Sequence, residues 1–168
     1  LSAAAKILVD NHRQRDEAAE GVWIAATTYQ EVGLFSEAAN YHAVIADSWP
    51  KNQHHKDAAY NAVLLRTTVG DHDKAIESGQ KFKKYSPRDE SADEVTFLIG
   101  KAHEKANKKA ESASLYDAYS RSARSVGSQI EALVRLATVK AEDERAAGAA
   151  LDRAISIYKA RKNQVDDR

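Results

Sequence analysis

Cysteine and methionine are both absent from this 168-residue chain, and proline occurs only twice. Without cysteine there is no disulfide scaffold, thiolate zinc site, iron–sulfur cluster or thiol nucleophile. Without methionine, residue 1 is not a natural start, so the chain is expected to be a piece of a longer protein. Neither sign of charge is in excess: 25 Lys+Arg face 25 Asp+Glu, for a formal net charge of zero. The balance also holds locally, with 10 basic and 11 acidic residues in 1–84 and 15 and 14 in 85–168. Nucleic-acid binders carry a basic excess or stripe, because phosphate neutralisation drives their affinity; no nucleic-acid partner is expected. No apolar run approaches the ~20 residues of a membrane span. Motifs of catalysis are missing too. The seven glycines are isolated, and Gly100-Lys101 lacks both the preceding glycine and the following Ser/Thr of a phosphate-binding loop. No serine sits in a Gly-x-Ser-x-Gly elbow. Neither a cofactor nor enzymatic activity is expected.

What is present is alanine, helix-forming charge and a repeat. The chain is 43% apolar and 30% charged, with few β-branched residues, a composition that suits an all-helical protein with close helix contacts. Gly33-Leu-Phe-Ser-Glu-Ala38, closing at Trp49-Pro50, aligns with Gly70-Asp-His-Asp-Lys-Ala75, closing at Ser86-Pro87. Glycine, alanine and proline each recur 37 residues later, so both prolines of the chain fall on one register. Asn107-Lys-Lys-Ala110 and Arg145-Ala-Ala147 read as third and fourth copies, with alanine steps of 35 and 37 residues.

Each copy follows the same physical logic. An amphipathic helix stops at a residue that tolerates positive φ, a second helix starts within a few residues, and in the first two copies a proline ends the unit. Asn107 stands in for the glycine in the third copy, and Glu142-Asp143-Glu144 offers no such residue in the fourth. Ser91-Ala-Asp-Glu94 and Ser128-Gln-Ile-Glu131 have the form of capping boxes, 37 residues apart. The pattern predicts helices over 2–13, 16–32, 36–48, 54–69, 72–85, 91–106, 108–124, 128–141 and 144–161. Short turns make successive helices antiparallel neighbours.

These residues resemble the tetratricopeptide repeat (TPR) family. Gly33-Leu-Phe35-Ser-Glu-Ala38 with Pro50, and Ala59-Ala-Tyr-Asn-Ala-Val-Leu-Leu with Gly70 through Ala75 and Pro87, match its pattern of small and aromatic residues. Phe97-Leu-Ile-Gly100 and Ala132-Leu-Val-Arg-Leu-Ala match its first helix. The resemblance implies an all-α, right-handed superhelical solenoid. Residues 1–15 would be the leftover second helix of an upstream repeat. Repeats would follow at 16–52, 53–89, 90–126 and 127–162, with a frayed tail at 163–168, all in one domain. It implies a concave groove for a protein or peptide partner, with contacts placed at Trp23, Thr27, Tyr60, Asn61, Leu64, Thr68, Ile99 and His103. Gln30, Thr96, Leu133, Leu136 and Lys140 fall on further groove positions. The lining reads as apolar and aromatic, which disfavours a clamp for a terminal carboxylate. Unit ends such as Trp49-Pro50 and Tyr85-Ser-Pro87 resemble bacterial envelope TPR proteins. That implies a periplasmic or outer-membrane-associated assembly, with a cytoplasmic location as the alternative. Self-association through apolar solenoid ends, and a regulatory role within a larger enzyme or sensor, are the rival functions.

Other residues carry two readings each. His54-His55-x-Asp57 and Asp71-His72-Asp73 have metal-ligand chemistry, yet adjacent histidines point to different helix faces and suit loops or caps better. His103-Glu104 begins like a helical zinc motif, but Asn107 stands where the second histidine belongs. Acid pairs such as Asp71/Asp73 and Glu142/Asp143 sit where carboxylates favour a helix start. Lys101, Lys105, Lys108 and Lys109 alternate with Glu104 and Glu111 as on a solvated face. Trp49 reads as a packing residue between repeats; Trp23 reads equally as core or as a groove anchor.

Overall fold

The structure is a computed structural model that describes residues 2–165, with side chains from residue 3 onward. The expectations for residue 1 and for 166–168 of the tail lie outside the described residues. Nine α-helices are present among the described residues, with no strand: α1 (Ser2–Asn11), α2 (Asp16–Glu31), α3 (Phe35–Ser48), α4 (His55–Val69), α5 (His72–Tyr85), α6 (Ala92–Lys105), α7 (Lys109–Ser122), α8 (Val126–Val139) and α9 (Glu144–Arg161). A 3-10 turn follows at Lys162–Gln164. The chain forms two compact units, residues 1–89 with α1 to α5 and residues 90–168 with α6 to α9.

The turns explain why the helices stop where they do. Gly33 has φ +79°, Gly70 φ +81° and Asn107 φ +58°, all left-handed. Each closes the same pair of hydrogen bonds. Leu34 N–H donates to Tyr29 O at 2.8 Å, Asp71 to Arg66 O at 3.0 Å and Lys108 to His103 O at 2.8 Å; Gly33, Gly70 and Asn107 donate three residues back. This is the Schellman closure, which satisfies carbonyls that the helix end would leave orphaned. Donor and acceptor advance by 37 residues from copy to copy. The fourth turn is different: Lys140 has φ −99°, and Asp143 caps α9 by accepting from Ala146 N–H at 3.0 Å. At the two prolines, Trp49 and Ser86 leave their helices with the same φ of −129° and with ψ of 68° and 54°, outside the helical region that a following proline disfavours. Gly70→Ala and Asn107→Ala should therefore each lower stability by about 1 kcal/mol, and Gly70→Asn by less, because only the left-handed backbone is demanded. Urea midpoints of the three variants check this.

Three expectations are corrected. The small residue that begins the second helix of the third copy is Ser112, not Ala110. Ser112 is fully buried like Ala38 and Ala75, and Ala110 is exposed. The step of 37 therefore persists, and the short step of 35 falls between Ser112 and Ala147. Second, α8 begins at Val126. Its cap is Ser125, whose side chain accepts from Ser128 N–H at 3.0 Å, so Ser128 lies inside the helix. Third, Ser91 precedes α6 in a helical conformation and makes no cap hydrogen bond. At α8 the capping hydroxyl is that of Ser125 in place of Ser128, and Val126 is buried at the helix start.

In unit 1, Ala18, Ala19 and Val22 of α2 pack with Ile45 and Trp49 of the α3 end and Ala58 of α4. Trp49 is thus buried where repeats meet. In unit 2, Phe97, Tyr116, Tyr119, Leu133 and Leu136 form the centre of the core. Helix α7 crosses α6 so closely that a Cβ on Gly100 would sit 2.9 Å from the Tyr116 ring. Ser112 Oγ donates to Gly100 O at 3.0 Å at the same crossing. Alternate helices are also bridged by ion pairs: Asp47 with Lys81 at 2.9 Å, and Asp117 with Arg153 at 2.8 Å. These pairs are partly exposed and fix register more than they add stability.

Candidate partner-binding groove

Asn61, Leu64 and Thr68 lie at i, i+3 and i+7 on α4, so one helix face presents all three. Thr27 and Gln30 lie on α2, the preceding first helix. These two helices, with the start of α3, enclose a cavity of about 380 Å³ lined by Thr27, Gln30, Glu31, Phe35 and Asn61. The structure therefore brings Thr27, Gln30 and Asn61 together and adds Glu31 and Phe35, which the sequence pattern does not single out. Four of its five lining residues carry polar side chains, beside the ring of Phe35.

Each polar group has a defined role. Thr27 Oγ1 donates to the carbonyls of Trp23 and Ile24, at 3.1 and 3.2 Å, which leaves its lone pairs facing outward. Gln30 Oε1 lies 3.2 Å from His42 Nε2. An amide oxygen only accepts, so Nε2 carries the proton and the Gln30 NH₂ is the end left for other partners. His42 is fully buried, and burial pushes its pKa down to about 4, so it is neutral near pH 7. The Asn61 amide is half-buried and makes no side-chain hydrogen bond among the described residues. The Glu31 carboxylate is exposed and has no ion pair among them. The cavity thus offers amide donors and acceptors, hydroxyl acceptors and one carboxylate, beside the partly exposed ring of Phe35. This set can hold a peptide backbone and a cation.

Trp23 lies elsewhere. Its ring stacks on His54 at 4.3 Å with planes 4° apart, and the edge of His42 meets it at 5.2 Å. His54 Nε2 donates to Glu20 at 3.0 Å, and Gln53 donates to the same carboxyl at 2.8 Å. These hydrogen bonds hold the Glu20 pKa below its ordinary value. Trp23 is half-buried and serves as a strut from α2 to the start of α4. His54 is its stacking partner. Among the described residues no three His, Asp or Glu side chains gather as a metal-binding group. Tyr60 is half-buried and turns toward α5, with its ring 6.5 Å from Phe82. Thr68 is exposed, and its hydroxyl donates to Leu64 O.

Unit 2 presents no matching face from the expected residues. Thr96 and Ile99 are buried, as are Leu133 and Leu136, which belong to the core with Tyr116. Bulky apolar side chains took the packed side of their helices, where burial stabilises each by about 1.5–3 kcal/mol. His103 is half-buried in the last turn of α6, and Lys140 is exposed beyond α8. Beside them, Tyr116 Oη donates to Glu104 at 2.5 Å, and Arg135 reaches Glu104 at 3.3 Å and Glu131 at 3.2 Å. Burial raises the Tyr116 pKa, so its hydroxyl stays protonated and donating. This network ties Glu104 of α6 to Arg135 of α8 and to Tyr116 of α7.

No protein-family profile matches the chain, and no curated protein matches it. Solved structures do. A MamA RS-1 ArsTM double mutant superposes with a TM-score of 0.70 at 12% identity, over 96% of this chain and 87% of that one. MamA 41-end from Desulfovibrio magneticus RS-1 gives 0.68 at 11% identity, over 95% and 93%. A further crystal structure of MamA gives 0.69 at 12%, over 95% and 87%. These neighbours are TPR-like helical solenoids, and the likeness shows that this chain has a TPR-type all-α fold.

Proposed function

We propose that the chain is a non-enzymatic protein-interaction module, built of hairpin repeats at 16–52, 53–89, 90–126 and 127–162. It takes an extended partner segment in the cavity between α2 and α4. The observation that carries this reading is the open Asn61 amide, set in one cavity with Thr27, Gln30 and Glu31. An extended strand leaves backbone N–H and C=O groups unpaired, and a carboxamide satisfies one of each. The unpaired carboxylate of Glu31 selects a lysine or arginine in the segment, and Phe35 lies against its aliphatic stem. Leu64 and Thr68 extend the contact along α4. The wider setting, a bacterial envelope-associated assembly, rests on the resemblance of the segments at Pro50 and Pro87.

The test is selection of a displayed library of linear peptides on the 168-residue chain. Enriched peptides should carry a basic residue, and Asn61→Ala should weaken their binding by about tenfold or more with an unchanged melting temperature. Glu31→Gln should remove the preference for basic residues. Peptides that bind wild type and a Thr27→Ala/Asn61→Ala variant equally would overturn the assignment.

A further inference from the structure

The two units carry the same chain of side chains and differ at its last link. Two repeat steps of 37 residues take His42, Gln30 and Asn61 of unit 1 onto Tyr116, Glu104 and Arg135 of unit 2. The first link is alike in both. A fully buried ring, Tyr116 of α7 or His42 of α3, donates to a side-chain oxygen in the last turn of the preceding helix, that of Glu104 or Gln30. In unit 2 the chain goes one step further. The Glu104 oxygen that accepts from Tyr116 also accepts from Arg135 Nη1 at 3.3 Å, and Arg135 Nε reaches Glu131, one turn back on α8, at 3.2 Å. The guanidinium lies over the Phe97 ring, 5.7 Å from its centre. An arginine thus bridges α6 and α8.

In unit 1 an asparagine holds the arginine's place. Asn61 is short and uncharged, and makes no side-chain hydrogen bond among the described residues. The cavity of about 380 Å³ lies at this position, lined by both Gln30 and Asn61. Gln30 Oε1 accepts from His42 alone among the described residues, so its second lone pair is free. The negative charge is still present, moved by one residue: Glu104-Lys105 of unit 2 reads Gln30-Glu31 in unit 1. Asp57, which corresponds to Glu131, is exposed and has no ion pair among the described residues.

We propose that this cavity takes an arginine side chain of the partner segment, with its guanidinium in the place that Arg135 fills in unit 2. Resting on the partner-segment reading above, this narrows the basic residue of that segment from lysine or arginine to arginine. A guanidinium holds its N–H groups in one rigid plane, so one edge donates to Gln30 Oε1 while another meets the Glu31 carboxylate. A lysine ammonium is a compact, strongly hydrated charge without that fork. The Gln30 NH₂ stays available to a backbone carbonyl of the segment.

Two probes test this on the 168-residue chain. The first is N-acetyl-arginine methylamide, followed by the side-chain amide signals of Gln30 and Asn61 in heteronuclear NMR spectra. Both signals should shift on titration, and the uncharged citrulline counterpart should move neither. The second is the set of peptides enriched by the selection described above. Their basic residue should be arginine, and its replacement by lysine should weaken binding about tenfold. A variant also fills the cavity from within. Asn61→Arg combined with Gln30→Glu copies the pair of unit 2. It should keep the helix content of wild type, lose the response to the arginine probe and bind the peptides about tenfold more weakly or worse. Amide signals unmoved by the arginine probe would overturn the proposal. Peptides that bind equally with lysine in place of arginine would overturn it and spare the groove, whereas peptides indifferent to the Thr27→Ala/Asn61→Ala change would remove the groove beneath it.

Discussion

Tyr116→Ala should destabilise the protein by about 3–5 kcal/mol, the range for removing a large aromatic from a close-packed core. Tyr116 is fully buried, lies tilted against Phe97 with ring centroids 5.5 Å apart, and sits against the bare Cα of Gly100. The small residues at this crossing, Gly100 and Ser112, have no side chain long enough to refill that volume. The loss also removes the hydroxyl donor from Glu104, whose carboxylate then keeps only Arg135. Tyr116→Phe separates the two effects. It retains the ring and should cost about 1 kcal/mol, the usual net worth of one hydrogen bond. Both tryptophans lie in unit 1, so their fluorescence reports that unit, while far-ultraviolet circular dichroism reports all helices. The Tyr116→Ala loss is to be read by circular dichroism in urea. A shift smaller than that of Tyr116→Phe would show that the core tolerates the cavity.

Acidification should weaken the fold through His42, by about 2 kcal/mol between pH 7 and pH 5 and about 3 in full. The sign follows from where the proton binds. In the folded chain burial holds the pKa at about 4, against an ordinary 6.5 in the unfolded chain. Between those values the unfolded state binds the extra proton. The stabilisation is therefore complete above pH 6.5, falls as pH drops below it, and is fully lost under pH 4. Protonation would also place a charge at Nδ1, which is buried without a hydrogen-bond partner. Tryptophan fluorescence in urea at pH 7 and pH 5 measures the slope. His42→Leu should remove most of it and leave the rest to other groups. Equal slopes in wild type and variant would show that His42 does not titrate in this way.

Helix positions were legible in the sequence because each stop is made by local chemistry. Gly33, Gly70 and Asn107 end helices by their own backbone preference, and Pro50 and Pro87 restrict the residue before them. All nine ranges agree with the structure to within about two residues at each end. Errors arose where two nearby small residues compete for one role. Ser128 looks like a cap, but Ser125, three residues earlier, supplies the capping hydroxyl, with Val126 buried at the start of α8. Ala110 looks like the repeat's alanine, but Ser112 is the small residue that falls on the face of α7 turned to Gly100. The candidate site was legible in part. Helical spacing puts Asn61, Leu64 and Thr68 on one face, and the alignment of copies brings Thr27 and Gln30 beside it. The role of Trp23 was not legible, because its stacking partner His54 lies 31 residues away and no periodicity links them. Nor was the burial of Ile99, Leu133 and Leu136, since periodicity marks an apolar face without saying whether a neighbour covers it.

The four turns also differ in what they tolerate. Three are closed by a left-handed residue and a pair of hydrogen bonds spanning a fixed number of residues, so neither their length nor their central residue is free to drift. The fourth, from Lys140 to Asp143, has no left-handed residue; the Asp143 N–H donates to Lys140 O at 2.8 Å and its side chain caps α9, and the turn is one residue longer than that at Asn107. Extra residues inserted between Ala141 and Glu142 would cost the one Asp143-to-Lys140 hydrogen bond but strain no left-handed residue and break no Schellman pair. That turn is the natural place to lengthen the chain, whether by descent or by the grafting of a label or a second binding loop.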